Sequence, residues 1–358
     1  MRLPVFAGAF ALAVAPAVFA DEPADWLVKM SDAAHAATYQ GIVVYRGDHM
    51  LDTFRVTHRA INGAETERVQ SLNGEMRDIL KIGNKLICLL PRDRRVAVNP
   101  PTPKALFPSL TVERLKQIAQ IYSLDSIGNE RVAGRICRGI AITPRDEYRY
   151  GYEIWADGQN AVPLKVNLVG RDGSTLEQMM FTEVDFPAGI PDSAFQLPPE
   201  DSHYKRITRD LPPANAVPSV AAVAPAPDNN SVEWTLAHLP PGFQVVMRSV
   251  HELPDNGGTV EHLLVSDGLS AVSVFTAQRP ATAKPLNGMS QIGAVHAYGR
   301  MIGTYHVTVV GEAPSETVKM IGDGLTQANP VEAVAADAAA TPPVQAVADR
   351  PGVAKPAP

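Results

Sequence analysis

The chain has 358 residues, a formal net charge of -6 and two cysteines. This length exceeds one ordinary hydrophobic core and predicts two domains with linkers. The mild acidity argues against a nucleic-acid partner, which would require a basic stripe, and two cysteines cannot build a zinc site unaided.

The first twenty residues have the pattern of a secretory signal peptide. Arg2 is the only charge before Asp21, and the run from Val5 to Phe19 is small and apolar. Cleavage is predicted between Ala20 and Asp21, with a short membrane anchor as the alternative. The run is too short to span a bilayer as a stable helix. The mature protein is therefore predicted to be exported and soluble.

A helix opens the predicted mature chain, with Asp25 as its cap. Its apolar positions recur at helical spacing, namely Trp26, Leu27, Met30, Ala33, Ala34 and Ala37. From Gln40 to Val98 the period changes to two, and Asn-Gly pairs at 62–63 and 73–74 predict hairpin turns. This part of the chain is therefore predicted to be an antiparallel meander.

A second helix is predicted before the meander resumes from Leu124 to Phe186. Its apolar stripe consists of Val112, Leu115, Ile118, Ala119 and Tyr122. A sheet of about ten strands with only two helices must curl, and the helices would cover one mouth or face. The concave side is predicted to be either a ligand cavity or a filled core.

The composition then predicts a linker, a smaller second domain and a tail. Leu211 to Asn230 is rich in Pro, Ala and Val without a period, as in an extended linker. Strands are predicted near Gly242–Val250, Thr259–Val265, Leu269–Thr276 and Val295–Val310, with a short helix after Pro314. The predicted boundaries are 1–20 for the signal, 21–207 for the first domain, 208–230 for the linker, 231–325 for the second domain and 326–358 for a disordered tail.

No pattern in the sequence marks a catalytic centre. There is no Gly-x-Ser-x-Gly elbow, no phosphate-binding glycine-rich loop and no HExxH spacing. The adjacent acids Asp146 and Glu147 follow Pro144 and are predicted to lie in a solvated loop rather than to perform acid–base work. We therefore predict no catalytic residue, no metal, no cofactor and no enzymatic activity.

Three further clusters have two interpretations each. One strand would carry an aromatic ladder that packs into the core or, less favoured, forms a binding platform, made of Tyr148, Tyr150, Tyr152 and Ile154. A basic hairpin tip would be solvated or, less favoured, would bind lipid phosphate, and consists of Arg92, Arg94 and Arg95. Cys88 and Cys137 would form a disulfide or remain two separate buried thiols in neighbouring strands.

Several short blocks, in order along the chain, resemble the MucB/RseB family of periplasmic regulators of the sigma-E envelope stress response. The first domain contributes Arg149-Tyr150-Gly151-Tyr152-Glu153-Ile154-Trp155-Ala156-Asp157 and the run from Arg171 to Gln178. The second domain contributes Trp234 to Phe243, Ser266-Asp267-Gly268-Leu269 and Val310-Gly311-Glu312-Ala313-Pro314. Each block is short, but together they are specific.

This resemblance implies a mainly β, α+β protein in two domains. The N-terminal domain would be a curled antiparallel sheet with covering helices, similar to the lipoprotein carriers LolA and LolB, and the C-terminal domain a smaller α+β unit. Such a protein would bind the periplasmic part of a membrane-spanning anti-sigma factor of the RseA/MucA kind and shield it from the site-one protease. A lipid or lipopolysaccharide fragment would relieve that protection.

The resemblance also directs the choice of candidate binding residues, all of which could instead belong to the core. The lipid-pocket candidates are Val43, Ile79, Leu86, Ile118 and Tyr122, and the partner-binding candidates are Phe243, Arg248 and Tyr305. A periplasmic lipoprotein or lipid carrier is the alternative function, although it leaves the second domain unexplained, and an exported hydrolase is a weaker rival. The oligomeric state stays open, with a homo-oligomer among the options.

Overall fold

The computed structural model describes residues 23–48, 50–83, 85–90, 95–98, 110–197, 205–208, 234–252, 258–278 and 285–327. The predicted signal peptide with its Ala20–Asp21 site, nearly all of the predicted linker, and the predicted tail beyond residue 327 lie outside these ranges. Arg92, Arg94 and the side chain of Arg95 also lie outside the described part, so the basic hairpin tip remains a prediction.

Residues 23–208 form an N-terminal unit built on one large sheet. Twelve strands follow the order β12-β6-β5-β4-β3-β2-β1-β11-β10-β9-β8-β7, and neighbouring strands are antiparallel except for the parallel pair β12 and β6. The elements in chain order are α1 Pro23–Ala36, β1 Tyr39–Gly47, β2 Met50–Ile61, β3 Ala64–Ser71, β4 Asp78–Ile82, β5 Lys85–Leu90, β6 Arg95–Val98, α2 Val112–Ile118, β7 Tyr122–Val132, β8 Arg135–Pro144, β9 Gly151–Asp157, β10 Pro163–Val169, β11 Thr175–Asp185, a short 3-10 helix Asp192–Phe195 and β12 Lys205–Thr208.

Tight turns explain why consecutive strands of this sheet pair with each other. Asn62 and Gly63 connect β2 to β3 with φ values of 51° and 79°, and Ala133 and Gly134 connect β7 to β8 with 47° and 79°. Two successive positive φ values are the geometry of the two-residue hairpin turn whose twist matches that of the flanking strands. The predicted meander is therefore confirmed at these turns.

The two helices cover one face of the sheet. Leu27 and Met30 of α1 are fully buried and pack in one cluster with Ile118 of α2 and Ile140 and Ile154 of the sheet. Each such side chain contributes roughly 1.5–3 kcal/mol when it is removed from water. Burial of its apolar stripe, rather than helix propensity, therefore holds α1 in place.

Residues 234–327 form a smaller C-terminal unit with its own core. A six-stranded antiparallel sheet has the order β14-β15-β16-β19-β18-β17, and a separate two-stranded pair joins β13 to β20. Helix α3 packs against β18 and β19, and its Val318 and Ile321 are fully buried. The elements are β13 Trp234–Leu236, β14 Gln244–Glu252, β15 Thr259–Ser266, β16 Ala271–Gln278, β17 Gly288–Ile292, β18 Val295–Ile302, β19 Tyr305–Gly311, α3 Ser315–Gly324 and β20 Leu325–Gln327.

The structure corrects several local predictions. Helix α1 begins at Pro23, so Asp25 lies inside its first turn and is not the cap. Helix α2 ends at Ile118, and Tyr122 instead begins β7. The run predicted as one strand from Val295 to Val310 is a hairpin, because Gly303 turns the chain with φ of 57°.

The disulfide considered between Cys88 and Cys137 is wrong, since both are free thiols. Cys88 lies on β5 and Cys137 on β8, and seven strands separate β5 from β8 in the sheet order. Cys137 is fully buried in a cluster with Val132 and Trp155, whereas Cys88 is only partly buried. The alternative of two buried thiols in neighbouring strands therefore holds only for the burial of Cys137.

The fold class is confirmed as mainly β with a large antiparallel sheet and a second, smaller unit. None of the helices in the described residues is long and apolar enough to cross a membrane. The N-terminal and C-terminal units contact each other directly, and that junction contains a buried cluster of polar side chains.

Candidate functional site at the junction of the two units

Arg149 is the centre of the junction. It lies in the segment 145–150 between β8 and β9, and its side chain is completely buried. The predicted aromatic ladder does not form here, because β9 begins only at Gly151 and leaves Tyr148 and Tyr150 in the preceding segment. A strand pattern would have pointed Arg149 away from the tyrosines and into solvent, whereas the bent segment turns it inward.

Both units supply acceptors to the Arg149 guanidinium. Within the N-terminal unit, Nε and Nη2 donate to the two carboxylate oxygens of Asp146 at 2.9 Å each. Across the junction, Nη1 donates to Asp267 Oδ2 at 2.7 Å and Nη2 donates to the Pro241 carbonyl at 2.5 Å. These bonds use nearly all the N–H donors of the group, as a fully buried guanidinium requires.

Aromatic rings complete the environment of the guanidinium. The carbon Cζ of Arg149 lies 5.1 Å from the centre of the Phe243 ring and 5.5 Å from that of Tyr122. A planar guanidinium is attracted to the negative face of such rings, most strongly where water is excluded. Arg149 is therefore held by charge, hydrogen bonds and stacking from both units at once.

Asp267 is the matching group on the C-terminal unit. Its Oδ1 accepts the backbone N–H groups of Leu269 at 2.8 Å and Ser270 at 2.7 Å, which closes the turn between β15 and β16. Its Oδ2 accepts Arg149 and also the Tyr122 hydroxyl at 2.9 Å. Burial and the adjacent Asp267 carboxylate raise the pKa of Tyr122, so this hydroxyl stays protonated and acts as a donor.

Further contacts join the units around this cluster. Thr317 Oγ1 of α3 donates to the Tyr148 carbonyl at 2.7 Å, and Ala294 packs with Tyr150 and Leu168. Gly242 has φ of 79°, and a Cβ there would lie 2.9 Å from Ile121 Cδ1 of the other unit. The close approach of this backbone to the Ile121 side chain therefore depends on a glycine at position 242.

A cleft of about 310 Å³ opens beside Arg149. Its polar lining includes Asp146, Glu147, Glu153 and Arg171. The prediction of a solvated loop is wrong for Asp146, whose carboxylate forms an ion pair with the buried Arg149. It is confirmed for Glu147, whose side chain is 55% exposed and pairs with Arg171 at 3.1 Å. The cleft thus borders the junction and shares its charged residues.

The site has the properties of a junction between two units. Burial raises the pKa of Tyr150 to about 12 and raises that of Tyr152 as well, so both phenols remain neutral hydrogen-bonding groups near neutral pH. Across the described ranges, no group of three or more His, Cys, Asp or Glu side chains is arranged to hold a metal ion. What this arrangement does chemically is fix one unit against the other.

The predicted lipid-pocket residues are distributed over two core clusters and the sheet between them. Val43 is buried with Val56 and Phe181, whereas Ile118 and Tyr122 belong to the cluster under α1. The strand pairing puts Ile79 and Leu86 on the same sheet face as Val43. None of the five lines the cleft beside Arg149, so a lipid pocket remains a prediction.

The predicted partner-binding residues separate into two places. Phe243 lies in the junction beneath Arg149 and is buried. Arg248 and Tyr305 are brought together around Trp234, because Arg248 Nη2 donates to the Trp234 carbonyl at 2.8 Å and the Tyr305 ring lies edge-on to the indole at 5.4 Å. Arg149 and Asp267 were missed as site residues, although both lie within the blocks on which the family resemblance depends.

Comparison with protein families gives two matches in chain order. The model described as the MucB/RseB N-terminal domain matches residues 22–199, and the model described as the MucB/RseB C-terminal domain matches residues 228–326. The first range contains Arg149 and the second contains Asp267, so the junction is formed between the two matched regions.

Comparison with individual proteins agrees with the family matches. The chain is 29% identical over 323 residues to the sigma factor AlgU regulatory protein MucB of Pseudomonas aeruginosa, which covers 87% of this chain and 92% of that protein. It is 27% identical over 301 residues to the sigma-E factor regulatory protein RseB of Salmonella typhimurium, covering 84% and 89%. Among solved structures, the complex of Pseudomonas aeruginosa MucA and MucB matches with a TM-score of 0.66 and 25% identity, covering 86% of this chain and 99% of that one.

Proposed function

Because the chain belongs to the MucB/RseB family, we propose that it binds the periplasmic part of a membrane-spanning anti-sigma factor. It acts as a regulator rather than an enzyme. The observation that carries this proposal is the match over nearly the whole described chain to MucB, which is solved in complex with MucA. Relatives named as sigma factor regulatory proteins support the same role.

The proposed consequence of binding is protection. A partner segment held by the protein is withheld from the protease that begins degradation of the anti-sigma factor, and the extracytoplasmic stress sigma factor stays inactive. The proposed place of action is the periplasm, after export and cleavage at the predicted Ala20–Asp21 site. The partner surface is proposed on the C-terminal unit, residues 231–325, where Arg248 and Tyr305 surround Trp234.

A lipid or lipopolysaccharide fragment is proposed to reverse this binding. Its proposed site is the helix-covered face of the N-terminal unit, residues 21–207, which carries Val43, Ile79, Leu86, Ile118 and Tyr122. If the lipid and the partner favour different arrangements of the two units, each weakens the other by the same coupling free energy, typically about 1–3 kcal/mol. The described junction between the units is the physical route for that coupling.

Calorimetry of the purified mature protein with the periplasmic segment of its cognate anti-sigma factor tests the proposal. We expect binding that lipopolysaccharide fragments weaken. Arg248→Ala removes the contacts of Arg248 with Trp234 and Glu261 and is expected to weaken binding, whereas the exposed Arg131 of the β7–β8 hairpin provides a matched control as Arg131→Ala. Absence of binding to the segment under every lipid condition would refute the regulator proposal and leave the lipid carrier as the better explanation.

A further inference from the structure

The two carboxylates that share the Arg149 guanidinium belong to different units. Asp146 lies three residues before Arg149 in the same segment, whereas Asp267 is 118 residues away in the C-terminal unit. Opening the junction would therefore break one ion pair and leave the other intact. In this respect the junction differs from a contact in which every ion pair crosses between the two units.

The N-terminal half of the cluster is complete without the C-terminal unit. Asp146 accepts two hydrogen bonds from Arg149 in the fork geometry typical of strong guanidinium–carboxylate pairs. Asp146 Oδ1 also accepts the backbone N–H of Tyr148 at 3.0 Å, which fixes the carboxylate within its own segment. After separation of the units, Arg149 would keep its counter-ion and gain water.

The C-terminal half is also complete on its own. Asp267 Oδ1 holds the backbone N–H groups of Leu269 and Ser270, and these bonds lie entirely within the β15–β16 turn. Only Oδ2, which accepts Arg149 and Tyr122, faces the other unit. Separation would expose Oδ2 to water without disturbing the turn.

We propose that Arg149 and Asp267 form a reversible latch between the units, and that Arg149 is a positioning residue whose closed pairing with Asp267 sets the arrangement that binds the partner segment. The assignment of a partner rests on the proposed function. Because a buried ion pair gains about as much from attraction as it loses in dehydration, the Arg149–Asp267 pair by itself contributes little net free energy to closing and can open at low cost. A ligand that prefers one arrangement can then shift the population with modest differential affinity.

The two aspartates have opposite predicted effects on the closed arrangement. Asp267→Asn removes the charge that attracts Arg149 across the junction, while the amide oxygen can still accept from Leu269 and Ser270. Asp146→Asn removes the carboxylate that repels Asp267 and competes for Arg149, so the remaining cross-junction pair becomes stronger. The same change of chemical group on either side of one guanidinium therefore opens the junction in one variant and closes it in the other.

Two measurements on the full mature chain test the latch. Small-angle X-ray scattering reports the radius of gyration, and calorimetry reports affinity for the periplasmic segment of the cognate anti-sigma factor. We expect Asp267→Asn to enlarge the radius of gyration and to weaken binding about ten-fold, within the usual range of coupling between sites. Asp146→Asn should leave the radius of gyration unchanged or smaller and the affinity unchanged or tighter. Tyr122→Phe should change both quantities in the same direction as Asp267→Asn, but by less.

Equal losses of affinity in the Asp146 and Asp267 variants, or a radius of gyration that neither variant changes, would overturn the latch. Circular dichroism of each variant identifies any that fails to fold, and in that case Tyr122→Phe, which deletes only the cross-junction hydroxyl, provides the decisive comparison. If the wild-type protein does not bind the segment at all, the proposed function fails. The scattering result still decides the latch, because it involves no partner.

Discussion

Substitution of Gly242 by alanine tests how closely the two units approach. Gly242 has φ of 79°, a left-handed conformation that costs an alanine about 1–2 kcal/mol. The new Cβ would also lie 2.9 Å from Ile121 Cδ1 and 3.3 Å from Ile121 Cγ2, both on the other unit. Overpacking of this kind typically costs about 1–3 kcal/mol. The lower half of that range is expected, because Cδ1 is the end of a half-buried side chain that can shift.

Gly303→Ala is the matched control for this experiment. Gly303 also has a positive φ, of 57°, but a Cβ added there would meet no heavy atom within 4 Å. Both variants therefore carry the backbone cost, and only Gly242→Ala carries the contact with Ile121. In urea unfolding followed by circular dichroism, Gly242→Ala should lose about 1–2 kcal/mol more free energy of unfolding than Gly303→Ala.

Replacing Ile121 provides the second arm. Ile121→Val removes Cδ1, and alone should cost about 0.5–1.5 kcal/mol. Combined with Gly242→Ala it should cost less than the sum of the two single changes, because the shortest contact is gone. Equal losses for the two glycine variants, together with strict additivity of the Ile121 and Gly242 changes, would refute the described approach of the units.

Three other measurements address the rest of the structure. The Glu65 carboxylate accepts a hydrogen bond from His35 Nδ1 at 2.6 Å, and this bond raises the pKa of His35 and lowers that of Glu65. The pair therefore stabilises the fold above about pH 4.5, the ordinary value of the acid, and loses its effect as pH rises through the raised pKa of His35. His35→Gln should lower the free energy of unfolding by only about 0.3–0.5 kcal/mol at pH 6, because His35 is half exposed, and should have no effect at pH 9, where the imidazole is neutral. A pH-independent loss would contradict the pairing. Burial raises the pKa of the Cys137 thiol to about 11, so folded protein at pH 8 should resist alkylation there, and dithiothreitol should leave the Tm unchanged; a fall in Tm would indicate a bridge with Cys88. Trp234 is 2% exposed in the C-terminal core, so Trp234→Ala should lower the free energy of unfolding in urea by about 3–5 kcal/mol. A loss below about 1 kcal/mol would show that the indole is not buried.

Local patterns predicted most of the elements of the described fold. Asn62-Gly63 marks a hairpin because few residue pairs adopt two positive φ values at low cost. Trp26, Leu27 and Met30 mark α1 because their spacing builds one apolar stripe. These signals act over a few residues and need no knowledge of the rest of the chain.

The predictions failed where neighbouring patterns overlap. Tyr122 lies four residues after Ile118, which suits a helix, but it also begins the apolar alternation of β7. Residues 295–310 are mostly apolar or aromatic on both sides of Gly303, and the run also contains Gly299 within β18, so it reads as one strand unless Gly303 in particular is taken as a turn. In both cases two structures fit the same residues, and long-range strand pairing decides between them.

The candidate site could not be predicted from local patterns, because its components come from opposite units. Arg149 reads as the exposed position of an alternating strand, and Asp267 reads as an ordinary turn residue before Gly268. Only the pairing between them explains why a guanidinium is completely buried. That pairing has no periodic signal at a separation of 118 residues.

The family resemblance nevertheless contains this information in a different form. Its short blocks, which are far apart in the chain, include Arg149, Pro241 and Asp267, and Arg149 donates hydrogen bonds to the other two at the junction. A buried charge that is satisfied from two units requires matching residues on both sides simultaneously, since loss of either partner leaves an uncompensated group. Substitutions are therefore expected to be poorly tolerated at these paired positions, and this is a physical reason to look for the proposed coupling of partner and lipid at the junction rather than within either unit.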